Sequence, residues 1–228
     1  ELLKYLIRGA RVTAVTGEQG CGKTTLLMAI MKFLYPTITI RVQETAFELH
    51  LRKIYPYHNI LSLRETDTIT GQEGLDVQKK TDGGVNILGE VATDPVAAWM
   101  IQMAQVASKF TLFTHHAKTF PNLITSLRNS LLKIGMFNSE QVAEVQVVQV
   151  INFDIHLKRA VDGTRFIERI TECIPLEQTY NYNNDYRKVK DVNQKLDKFM
   201  DNAVEYFQHM TQSKNYTYRN IVEFVDGK

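Results

Sequence analysis

Short β-branched apolar runs alternate along this chain with longer segments of helical period, and that alternation predicts its elements. Leu2–Arg8 reads as an amphipathic helix ended at Gly9, and residues 11–16 (Arg-Val-Thr-Ala-Val-Thr) as a buried strand. A helix is expected over 23–34, stopped before Pro36, and a strand over 37–42. Asn59–Arg64 reads as a strand, 71–80 as a helix closed by Asp82-Gly83-Gly84, and Val85–Leu88 as an apolar strand ending in Gly89-Glu90. Pro95 suits the first turn of a helix over 95–107, and Phe110–Thr114 follows as a strand. Helices over 120–134 and 139–149 are split by Gly135, and 151–160 and 164–172 form a hairpin turning at Asp162-Gly163. Strands alternating with helices predict an α/β fold with a largely parallel, doubly wound sheet.

Around 177–187 the composition shifts to Tyr, Asn and Asp, which reads as a linker or polar loop. A helix over 189–211 and a strand over 216–225 complete the chain. The expected organisation is one domain over 1–176 and a C-terminal helical and strand appendage over 177–228, packed on it. In the last helix Val192, Leu196, Phe199, Ala203 and Phe207 recur at three- and four-residue steps, the pattern of a packed face or a partner-docking arm.

The 228 residues are 44% hydrophobic and 23% charged, enough for a substantial core. A formal net charge of +2 gives no argument for stable nucleic-acid binding or for an anionic membrane surface. No apolar run approaches the ~20 residues of a membrane span. Two cysteines, Cys21 and Cys173, give no disulfide framework and fit a cytoplasmic location. A first residue of Glu1 is what a fragment of a longer polypeptide with an upstream domain would show.

The chemistry begins at Gly17-Glu18-Gln19-Gly20-Cys21-Gly22-Lys23-Thr24, a Gly-x-x-x-x-Gly-Lys-Thr run between a predicted strand and a predicted helix. Its glycines let the backbone curl so that N–H groups converge on phosphate oxygens, and the helix N-terminus adds partial positive charge. ATP and Mg²⁺ are the expected ligands. Lys23 would contact the β- and γ-phosphates and the Thr24 hydroxyl would ligate the metal, with ATP bound over Gly17–Thr25. Cys21 reads as a small loop residue, since no motif pairs it with a base. A hydrolase also needs carboxylates near the metal and the attacking water. Two segments qualify: Val42-Gln43-Glu44-Thr45-Ala46-Phe47-Glu48-Leu49 after the second strand, and Ile87-Leu88-Gly89-Glu90-Val91 at the end of an apolar one.

At this point the chain resembles the ATPases of type II and type IV secretion and of type IV pili, most of all their tight-adherence and conjugation-type members. The likeness runs from about residue 9 to 176. The glycine loop comes first, then an acidic box similar to Glu44–Leu49, then a Gly-Glu-ending strand at Asn86–Val91. Next come a histidine box at Thr114-His115-His116-Ala117 and a closing strand similar to 165–172. The resemblance implies a RecA-like fold, a ring of six copies with ATP between them, and a motor for secretion or pilus assembly. That motor would sit at the cytoplasmic face of the membrane, held there by inner-membrane secretion or pilus platform proteins. By the same resemblance Glu90 would polarise water or support Mg²⁺, Glu44 or Glu48 would assist at metal or water, and His116 would sense the γ-phosphate.

The departures are Thr45 for the usual Asp, Ala92 for the usual Arg, Val106-Ala107-Ser108 for the usual Thr-Gly-His, the polar Asn86, and Gly83-Gly84 for the usual Pro-Asp. They leave the loop and Lys23 intact and bear on the speed of hydrolysis. The alternative reading is therefore a nucleotide-binding structural or regulatory subunit with little turnover; a P-loop kinase or nucleic-acid motor ranks third. His115 and His116 alternate along a strand, so only one should face the site. Arg41, Arg52, Arg64 and Arg128 are weighed as phosphate ligands against a reading as solvated ion pairs. The aromatic stretch Tyr180–Tyr186 reads as a polar loop.

Overall fold

A computed structural model describes residues 1–44, 48–106, 110–176, 188–212 and 214–225. Thr45, Ala46, Phe47, Ala107, Ser108 and the 177–187 segment, with Tyr180–Tyr186, lie outside the described residues. In chain order the elements are α1 (Leu2–Arg8), β1 (Thr13–Gly17), α2 (Lys23–Ile30), β2 (Ile40–Glu44), α3 (Leu51–Ile54), β3 (Ile60–Arg64) and α4 (Gly71–Lys79). Then follow β4 (Val85–Leu88), α5 (Asp94–Val106), β5 (Phe110–His115), α6 (Phe120–Lys133), α7 (Glu140–Val150), β6 (Phe153–Arg159), β7 (Arg165–Pro175), α8 (Val192–Gln212) and β8 (Tyr216–Glu223).

The strands form one sheet in the order β3-β2-β4-β5-β1-β6-β7-β8. The first six run parallel, and β7 and β8 are antiparallel. This is the mixed α/β architecture that the alternation of periods predicts. Strands β1, β2 and β4 are buried along their whole length, and the polar residues they carry, among them Thr16, Arg41, Glu44 and Asn86, are buried with them. Trp99, Phe110, Phe113 and Phe120 are among the largest fully buried side chains and fill the layer between sheet and helices.

Helix starts follow local chemistry. Thr70 and Glu73 form a capping box at α4, and the Thr119 and Ser139 hydroxyls accept the amides of Asn122 and Val142 at the starts of α6 and α7. Two expectations change. The predicted helix over 23–34 ends at Ile30 and tightens into a 3₁₀ turn over Met31–Phe33, before Pro36. The short helix α3 was not predicted, because four residues are too few to show a period.

The C-terminal segment contributes a strand to the domain. β8 pairs with β7 from Arg169 to Pro175 and so extends the main sheet. Its start is tied to the core by Asn215 Nδ2, which donates to Glu144 Oε1 at 2.8 Å. Tyr216 meets Phe120 edge-on at 6.0 Å between ring centroids, and Tyr218 packs on it at a tilt at 5.4 Å. Along the apolar positions of helix α8, Val192 is 76% exposed, Leu196 58% and Phe207 65%. Among the described residues no helix is long and apolar enough to cross a membrane.

Beneath the glycine loop lies a polar cluster that the core must accommodate. The Thr16 hydroxyl donates to Asp154 Oδ1 at 2.6 Å and lies 2.9 Å from His156 Nδ1. With one O–H to give, Thr16 takes its second bond from the imidazole N–H. His156 Nε2 faces Glu168 at 3.6 Å, and Glu168 is held by Lys158 at 2.8 Å and Arg169 at 2.6 Å. Burial raises the Asp154 carboxyl to about 6, against the pull of the Thr16 bond and Arg169. Burial, then Arg169, lowers His156 to about 4, with Glu168 opposing.

The two shifts bear on stability with opposite sign. Between about pH 4 and 6 folded Asp154 keeps a proton that the unfolded chain releases, so this group costs stability as pH rises. Unfolded His156 takes up a proton below 6.5 that the folded chain refuses until about 4, so this group adds stability as pH rises. Each slope is about 1.4 kcal/mol per pH unit at most, and they nearly cancel. Asp154→Asn should therefore make stability climb from pH 4.5 to 6 relative to the parent, and His156→Gln should make it fall. Urea midpoints across that range check this; parallel curves for all three chains would refute it.

Candidate functional site

Four parallel strands deliver their carboxyl ends to one rim. Thr16 lies opposite His115 across β1 and β5, Leu88 opposite Phe113 across β4 and β5, and Gln43 opposite Leu88 across β2 and β4. Gly17 and His116 therefore stand side by side, as do Glu44 and Gly89 two residues lower, at the rim where such sheets bind ligands. His116, Gly89 and Glu44 border a cleft of about 470 Å³. Of the residues singled out in the sequence, Gln19, Gly20, Gly22, Lys23, Thr24, Thr25, Glu44, Glu48, Glu90 and His116 line it. Gly17, Glu18 and Cys21 instead shape the loop from behind.

Gly17 has φ +137°, and a Cβ there would overlap the Leu157 carbonyl oxygen and lie 2.7 Å from Cys21 Sγ. Gly22, at φ +98°, is the N-cap of α2 and offers no side chain to its amides, which leaves them for a ligand. Cys21 is buried beneath the loop. Its position is that of a packing residue.

Lys23 folds back over the loop. Its ammonium donates to the carbonyls of Gly17 at 3.0 Å and Glu18 at 2.9 Å and meets His116 Nδ1 at 3.3 Å. Desolvation lowers its pKa, while Cys21 and Glu90 pull the other way. An ammonium can only donate, so His116 Nδ1 must accept, and the imidazole proton sits on Nε2. That nitrogen faces Glu90 Oε1 at 3.1 Å. Lysine, histidine and glutamate thus form one chain of contacts across the cleft.

The opposite wall is carboxylate. Glu44 is 4% exposed, and its Oε1 accepts the amides of Glu48 at 3.1 Å and Leu49 at 2.8 Å. Gly89 leaves room for it: a Cβ there would come within 3.3 Å of Glu44 Cγ. The Gly89 amide donates to the Gln43 carbonyl and the Thr114 hydroxyl to the Gly89 carbonyl, which fixes the turn that carries Glu90. Thr24, Glu44, Glu48 and Glu90 all line the cleft with oxygen atoms of the kind a small hard cation such as Mg²⁺ takes, although among the described residues no three acidic, histidine or cysteine side chains converge as a metal site.

The two histidines part as strand alternation requires. His115 turns away and lies between the Val91 carbonyl, 2.8 Å from Nδ1, and the Ser126 hydroxyl, 3.0 Å from Nε2. Arg41, on β2, is buried and bonded to Thr81 Oγ1 and the Asp82 carbonyl, and it does not line the cleft. Arg128 pairs with Glu140 and Glu144 between α6 and α7. Arg52 and Arg64 do not line the cleft. Sequence reasoning missed Arg165, which does line it, and the Thr16–Asp154–His156 cluster below. No motif marks either, because the β6–β7 hairpin brings them in from over 100 positions away.

The sequence matches no protein-family model and no curated protein. Solved structures do resemble it. The VirB11 ATPase from the Brucella suis type IV secretion system, in complex with sulphate, shares 24% identity over 74% of this chain and 50% of that one, with a TM-score of 0.66. The Legionella pneumophila ATPase DotB shares 15% over 95% of this chain and 56% of that one, at 0.59. The pilus retraction motor PilT with bound ADP shares 15% over 93% and 57%, at 0.57. The chain spans about half the length of these structures. Its fold is that of the type IV secretion and pilus ATPases.

Proposed function

We propose that this chain is an ATP-binding and ATP-hydrolysing motor domain that powers protein secretion, conjugative transfer or type IV pilus assembly. The observation that carries the reading is the Lys23–His116–Glu90 chain of contacts at the mouth of a glycine loop, facing a wall of carboxylates. The sulphate in the VirB11 structure and the ADP in PilT are ligands of the kind such a loop accepts.

In this reading the amides from Gly20 to Thr25 hold the α- and β-phosphates, and Lys23 exchanges a carbonyl contact for the β- and γ-oxygens. Thr24 and the carboxylates of Glu44 and Glu48 would hold Mg²⁺, which neutralises charge on the β- and γ-phosphates. Glu90 orients the attacking water, and its contact with His116 Nε2–H fixes the carboxylate's direction. His116 sits between Lys23 and Glu90, so a γ-phosphate drawing Lys23 away alters the histidine's contacts as well. That is a physical basis for a γ-phosphate sensor.

The working assembly is a ring of six copies at the cytoplasmic face of the membrane, held there by inner-membrane platform proteins. The likeness to ATPases favours turnover over a non-hydrolysing regulatory subunit.

Two substitutions test this by calorimetry and phosphate release. Lys23→Ala should lower affinity for magnesium–ATP by about a hundredfold or more, as removal of a charge-assisted contact from a desolvated site implies. Glu90→Gln should leave affinity within about threefold and slow turnover by about a hundredfold. Unchanged turnover in Glu90→Gln would remove Glu90 from the chemistry, and a parent that binds without turning over would favour the regulatory reading.

A further inference from the structure

Most cations of the β6–β7–β8 sheet have acidic partners. Lys158 and Arg169 pair with Glu168, and Arg219 pairs with Glu172. Arg165, the first residue of β7, is different. Among the described residues its bond is to a neutral group: Nε donates to the Gly20 carbonyl at 2.9 Å, across 145 positions of sequence. Its Cδ lies 3.3 Å from where a Cβ on Gly22 would stand, so the side chain lies along the glycine loop. Arg165 is also one of the residues that line the cleft.

A second observation sharpens the first. Arg165 is paired directly with Arg159 across the hairpin, two like charges in register. Such a pair is unfavourable by itself. Arg159 also leans toward the loop, with Nη1 4.0 Å from a Cβ on Gly20. The nearby carboxylate of Asp162 is engaged by the Thr164 amide at 2.9 Å and hydroxyl at 3.0 Å, which hold the turn. The hairpin therefore aims two cations at Gly20, and an anion seated in the loop would relieve their repulsion.

We infer that Arg165 is a nucleotide ligand supplied by the same subunit, gripping the α- and β-phosphates from the hairpin side. The inference rests on the cleft being a nucleotide site. The γ-phosphate belongs to the other side, where Lys23, His116 and Glu90 meet. Arg165 stands at Gly20 and Gly22, so ADP engages it as fully as ATP does. A guanidinium presents two further N–H groups to phosphate oxygens while Nε keeps its loop contact.

The test measures binding of magnesium–ADP, magnesium–ATP and adenosine to the parent, Arg165→Gln and Arg165→Lys by calorimetry, with ligand-free melting temperatures alongside. Arg165→Gln should lose about tenfold or more in affinity for both ADP and ATP, with adenosine binding and the ligand-free melting temperature unchanged. Arg165→Lys should recover part of the loss. ADP affinity within twofold of the parent in Arg165→Gln would overturn the inference. So would a loss confined to ATP, or a fall in ligand-free melting temperature in step with affinity. A parent that binds neither nucleotide would instead overturn the reading of the cleft itself.

Discussion

The structure turns on one ammonium held over a curled backbone. Lys23 reaches two loop carbonyls and a histidine, and each contact depends on a different part of the chain. The carbonyls are in place because Gly17 takes a conformation closed to other residues and tolerates the Leu157 backbone against it. The histidine is in place because β5 pairs with β1 in a register that sets His115 beside Thr16 and so delivers His116 to the loop. Slipping that register by one residue would reverse which histidine faces the cleft.

The same sheet explains the division of labour among the acids. Glu44 is nearly enclosed and held by two amides, so its direction is fixed before any ligand arrives. Glu90 is more exposed and is fixed through His116. A rigid carboxylate suits a metal's outer contacts, and one coupled to a lysine–histidine chain suits a water whose placement must follow the γ-phosphate. The polar cluster of Thr16, Asp154 and His156 lies directly under this apparatus. Its two opposed titrations let a buried acid and a buried base coexist without a steep pH dependence.

The antiparallel end of the sheet does more than close the domain. β7 carries Arg165 to the loop, and Arg169 Nη2 donates to the Lys118 carbonyl at 2.7 Å, just past the histidine box. β8 then seals β7 and anchors itself through Asn215, Tyr216 and Tyr218. Residues distant in sequence thus brace both sides of the cleft, while Val192, Leu196 and Val204 of helix α8 stay exposed.

Much of this was legible in the residues alone. The glycine loop, the strands before Glu44, Glu90 and His116, and the parallel sheet all follow from local patterns: glycine spacing, β-branched runs, alternation and caps. Those are short-range effects, fixed by sterics and by hydrogen bonds within a few residues. What tertiary structure alone decided has no local signature. The exclusion of Arg41 from the cleft, the inclusion of Arg165, the buried Asp154–His156 pair and the entry of β8 into the sheet depend on which strand lies beside which. Strand order is set by burial summed over the whole chain, and no window of sequence contains it.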